Sequence, residues 1–139
     1  MSNAIIYPAI CLALLTIGVC FWMGKSRLNA VKAGQADRAY FKLYQGEPPS
    51  GRVTQISQHY DNLLALPILF YVVVIIIYIT HTVGELQLLL AWGFVASRIV
   101  HTVVHTTSNR LKYRFYSFAA GLLILLVMWL VLLLNLASS

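Results

Sequence analysis

Arg98, His101, His105 and Asn109 fall at i, i+3, i+7 and i+11, which puts all four on one face of a helix. A guanidinium, two imidazoles and a carboxamide in one row suit three tasks: holding an anion, passing a proton, or bracing neighbouring helices through hydrogen bonds. Arg110, Lys112 and Arg114 follow directly and extend the row into a cationic cluster. The surroundings make the row unusual, because Leu86 to Thr106 is otherwise apolar enough to sit in lipid. Charged and polar groups at membrane depth are costly and by default mark a functional site or a buried polar contact.

Arg98 precedes Thr106 by eight residues, so it sits roughly 12 Å in from the end of its helix. An unpaired cation there is strongly unfavourable and needs a carboxylate, a carbonyl or water. Asp61 is the carboxylate at a similar end of another span, so an Asp61–Arg98 brace between helices is expected. Removing either partner should then destabilise the fold equally. His101 and His105 have the i, i+4 spacing of a metal pair, but no third ligand shares their face. A metal is therefore not expected, and the histidines read as interhelical hydrogen-bonding groups or contacts to an anionic ligand. Asn109, Arg110, Lys112 and Arg114 read either as lipid-headgroup anchors or as an anion-binding mouth, and topology and headgroup contact account for Lys112. Arg114 opens a helix, where the macrodipole disfavours a cation, so another interaction must hold it there.

The elements that position these residues follow from the apolar runs. The chain has 139 residues, 60% hydrophobic and 10% charged, with mean hydropathy +0.77. A soluble domain carries about a quarter charged residues, so this composition specifies an all-α integral membrane protein, one domain over residues 1–139. Its four spans fall at about 4–24, 60–80, 86–106 and 114–137, and each approximates the thickness of the hydrocarbon core. Pro67 predicts a kink or a broken hydrogen bond in the second span. The brief link around Thr80–Glu85 requires antiparallel neighbours. The stretch after Gly24 contains good helix formers, and the first helix is expected to extend past the membrane. Cys11 and Cys20, nine residues apart in the first span, are roughly 13 Å apart on a helix. They read as buried apolar thiols.

The net charge of +6 reflects topology, and no nucleic-acid partner is expected. The ten Lys and Arg lie in or beside the first and third connections, or in the adjoining half of the third span. The positive-inside rule makes those connections cytoplasmic and puts both termini on the other side.

The chain resembles the MAPEG family, the membrane-associated proteins of eicosanoid and glutathione metabolism, over nearly its whole length. Arg98-Ile-Val-His101, followed by Arg110 and Arg114, is similar to the family's third-helix pattern. Asn62-Leu-Leu-Ala65-Leu-Pro67 resembles its Asn-x-x-Glu motif and following proline, and Arg27 falls where the family carries a basic residue at the end of helix one. The resemblance implies a four-helix protomer in a homotrimer, with sites between protomers near the cytoplasmic side. It implies glutathione as the bound thiol, a lipophilic small molecule as its co-substrate, and membrane lipid around the bundle. Arg114 matches the thiolate-stabilising arginine; Arg27, Asn62, His101, His105 and Arg110, with Asn109 beside them, match or adjoin positions that hold the tripeptide. Ala65 stands at the family's glutamate, Phe115 where some members have serine, and His105 where some have tyrosine. The likeness is greatest to the bacterial branch, which implies an inner-membrane, multi-pass location.

The expected function is a glutathione-dependent transferase or peroxidase; the alternative is a non-catalytic lipid- or thiol-binding scaffold. A transporter or proton relay using Arg98, His101 and Asp61 is disfavoured, because nothing in the sequence suggests a second opening across the membrane.

Overall fold

A computed structural model describes residues 2–138; Met1 and Ser139, the ends of the expected domain, lie outside the described residues. A 3-10 turn at Ser2–Ile5 leads into α1 (Ile6–Lys32), followed by a short α2 (Arg38–Leu43), then α3 (Gly51–Ile79), α4 (Glu85–Thr106) and α5 (Leu111–Ala137). Among the described residues four helices are long and apolar enough to cross a membrane. The 27 residues of α1 span about 40 Å, longer than a hydrocarbon core of about 30 Å, so its basic end projects beyond the apolar layer. The helix α3 begins well before its apolar run and passes through Pro67 without interruption.

Each helix buries one stripe and exposes the rest. In α3 the buried stripe is Ile56, His59, Leu63, Pro67, Phe70, Val73, Val74 and Ile77. In α4 it is Gln87, Ala91, Phe94, Val95, Arg98, His101 and His105. Both follow the three-and-four spacing of a packed bundle helix. The outward residues are large and apolar, including Phe21, Leu89, Leu123 and Leu134, as a lipid-facing surface requires. The closest partners are α4 with α5 and α1 with α3.

The antiparallel arrangement sorts the bundle into two halves. One half holds the apolar core of Ile5, Leu12, Phe70, Val73, Ile77, Ala91, Phe94, Leu125, Met128 and Leu132. Phe70 and Phe94 stack there with centroids 4.6 Å apart. The other half holds the buried polar residues His59, Arg98, His101, His105 and Thr106. Every Lys and Arg lies toward that second half.

Candidate functional site

Arg98 is 1% exposed and braces α4 onto α5 without a carboxylate. Its Nη2 donates to the Ser117 carbonyl at 2.9 Å and the Phe118 carbonyl at 3.4 Å. Its Nε faces Ser97 Oγ at 3.4 Å. The guanidinium lies between the rings of Phe94 and Phe118, 5.4 and 5.6 Å from their centroids, and cation–π attraction strengthens when both groups are out of water. The expected Asp61–Arg98 pair is therefore corrected: no ion pair joins these residues among the described residues, and Asp61 is exposed, lining a different groove. The physical reason is that backbone carbonyls and aromatic faces of α5 reach the buried guanidinium, whereas Asp61 points away from the α4–α5 seam.

Beyond Arg98 the stripe continues through His101 and His105 and then stops. Thr107 ends the helix, and Asn109 adopts a left-handed conformation at φ 47°, which asparagine tolerates better than most residues. Its N–H donates to the Val104 carbonyl at 2.8 Å. Asn109 thus leaves the helical face assigned to it and works from the turn, where its Oδ1 accepts a 3.0 Å hydrogen bond from Arg114 Nη1. This contact is what holds the arginine at an otherwise unfavourable helix start. Arg110 flanks it at the N-cap of α5 and is exposed.

Asn62 of α3, His101 of α4, and Leu111, Arg114, Phe115 and Phe118 of α5 line one groove of about 200 Å³. The four α5 residues share a helical face, so a cation and three apolar side chains open into the same space. Arg27 lies elsewhere. It donates to Ser57 Oγ at 3.0 Å, rests over the Phe41 ring, and lines a second groove of about 230 Å³ with Tyr40, Tyr44, Gln58 and Asp61. Of the predicted site residues, Asn62, His101 and Arg114 fall in one groove and Arg27 in the other, whereas His105, Asn109 and Arg110 line neither.

His105 faces inward, away from both grooves. It meets His59 of α3. His59 Nδ1 and His105 Nδ1 are 3.2 Å apart, and His59 Nε2 reaches Thr102 Oγ1 at 3.0 Å. Gln55, one turn before His59, donates to the His105 carbonyl and fixes the start of α3 against the end of α4. His101 Nδ1 meets Ser117 Oγ at 3.0 Å. The available signal for His59 was register: it lies three residues after Ile56 and four before Leu63 in the buried stripe of α3.

The MAPEG family model matches residues 5–134. The chain belongs to the MAPEG family. No curated protein and no solved structure gives a significant match. Membership agrees with four membrane-spanning helices, and the protein is an integral, multi-pass membrane protein of MAPEG type in contact with lipid. Within this MAPEG chain the Arg114 groove combines a cation with apolar walls, an arrangement suited to an anionic head carrying or meeting a lipophilic group.

Proposed function

We propose that this MAPEG protein is a glutathione-dependent transferase or peroxidase acting on a lipophilic substrate. The observation that carries this reading is the groove in which Arg114 stands beside Asn62 and His101 above Phe115 and Phe118. Glutathione bears two carboxylates and a thiol. Its carboxylates suit Arg110 and Arg27, and its thiolate, in a site of low polarity, needs a guanidinium such as that of Arg114. In conjugation the thiolate forms a C–S bond to an electrophilic carbon as the leaving group departs with its electron pair, and Arg114 stabilises the thiolate before attack. Leu111, Phe115 and Phe118 offer the apolar surface for the co-substrate.

The separation of Arg27 from the Arg114 groove fits a site completed between protomers, and we propose a homotrimer on that basis together with family membership. The distribution of basic residues supports cytoplasmic first and third connections, with both termini opposite, in a bacterial inner membrane.

A second reading is a non-catalytic lipid- or thiol-binding scaffold. It is favoured by Ala65, which supplies no carboxylate where the family has one, and by Phe115, which is 63% exposed and adds apolar surface at the groove. Titrating glutathione by calorimetry into the detergent-purified protein, with a parallel aryl-halide conjugation assay, separates the two. Binding with turnover supports the enzyme, and binding without turnover supports the scaffold. No heat at millimolar glutathione overturns the glutathione reading.

A further inference from the structure

His59, His101 and His105 are all buried, and one ligand-capable atom from each lies within 4.8 Å of those of the others. Their tautomers follow from the hydroxyls around them. Thr102 Oγ1 donates its single proton to the Arg98 carbonyl at 2.7 Å, so it accepts from His59 Nε2–H. That leaves a lone pair on His59 Nδ1. Ser117 Oγ likewise donates to the Arg114 carbonyl at 3.0 Å and accepts from His101 Nδ1–H. His101 Nε2 then carries a lone pair, and it is buried without a hydrogen-bond partner. The Nε2 of His105 is also buried without a partner.

Two imidazole nitrogens 3.2 Å apart require something positive between them. A proton satisfies that pair and leaves the Nε2 lone pairs of His101 and His105 bare in a dry interior, two unmet polar groups. A metal ion accepts all three nitrogens and leaves one unmet group, the outer N–H of His105. Metal–nitrogen bonds of about 2.0–2.1 Å at tetrahedral angles place neighbouring ligand atoms about 3.3 Å apart, close to the His59–His105 spacing. Thr102 and Ser117 accept the outer N–H of two of the rings, the outer-shell support that fixes a histidine ligand.

We propose that His59, His101 and His105 form a metal site for a late first-row divalent ion, with zinc(II) the best fit. Three neutral imidazoles suit zinc, copper, nickel or iron rather than calcium or magnesium. Three protein ligands leave a fourth position open. Arg98 and Arg114 lie within a turn or two along the chain and on the facing helix, so that position favours an anionic ligand. The site shares His101 with the neighbouring groove, but metal binding at it does not require glutathione to bind there.

The test uses the untagged full-length protein in detergent, stripped with chelator and titrated with zinc(II) and cobalt(II). One ion per chain is expected, with the intense visible d–d bands of tetrahedral cobalt. His59→Gln should abolish those bands. Thr102→Val, which removes outer support only, should weaken binding roughly 10–100-fold. His81→Gln, in the opposite connection, should leave both unchanged. Absence of stoichiometric binding by the wild-type protein overturns the proposal whatever the variants do. Binding that survives His59→Gln, or that is lost equally in His81→Gln, also overturns it.

Discussion

The guanidinium of Arg98 on α4 occupies the space that a side chain at Gly121 on α5 would fill. A methyl at position 121 would collide with Arg98 Nη2 and come within 2.7 Å of Ser97 Oγ. The cation and the glycine are therefore one feature: α5 approaches α4 closely enough for its carbonyls to solvate Arg98 because position 121 has no side chain.

The first prediction is a coupling. Gly121→Ala should destabilise the protein by about 1–3 kcal/mol through overpacking, and by clearly less in an Arg98→Ala background. Denaturation in detergent of the two single variants and the double variant measures this. Equal cost in both backgrounds would show that the glycine is not there for the arginine.

Asp61 gives a second prediction, opposite to the one drawn from sequence. Arg98→Ala should lower the melting temperature, because the cation holds α4 to α5. Asp61→Asn should leave it unchanged, because Asp61 is exposed in the other groove. A matching loss in the two variants restores the ion-pair account.

The turn at Asn109 separates conformation from contact. Asn109→Ala places a residue with a Cβ and no local hydrogen bond at φ 47°, which costs roughly 1–2 kcal/mol. Asn109→Gly should keep the stability but release Arg114 Nη1. If Arg114 must be held to bind ligand, the glycine variant will bind glutathione more weakly while melting normally.

Arg114 and Lys112 test the mouth. Arg114 lines the groove and Lys112 does not. Arg114→Ala should remove glutathione binding at millimolar ligand, and Lys112→Ala should retain it. Loss in both variants would point to a general charge effect rather than a site.

Gln87 tests the apolar half. Its Nε2 donates to the Met128 carbonyl at 3.1 Å, but its Oε1 is buried without a partner. Gln87→Met removes that unmet acceptor at similar volume, so the melting temperature should hold or rise. A fall of several degrees would mean that the Met128 contact outweighs the orphaned oxygen.

The sequence by itself determined the four helices, their membrane character and the antiparallel order, because uncharged runs of about 20 residues leave few alternatives in lipid. It also placed Arg98, His101 and His105 on one buried face, since helical periodicity is a local property. Partner choice belonged to the tertiary structure. Arg98 took the carbonyls of Ser117 and Phe118 instead of Asp61, because which of two chemically suitable groups is reached depends on helix rotation and on the close approach at Gly121. Asn109 left its face because α4 ends at Thr106, one residue after His105, and the chain then reverses through Asn109 in the left-handed conformation. His59 joined His101 and His105 only when α3 and α4 packed, as residues more than 40 apart in the chain carry no shared periodicity. Which polar residues lie in a membrane helix is written along the chain; which of them meet is set by how the helices turn against one another.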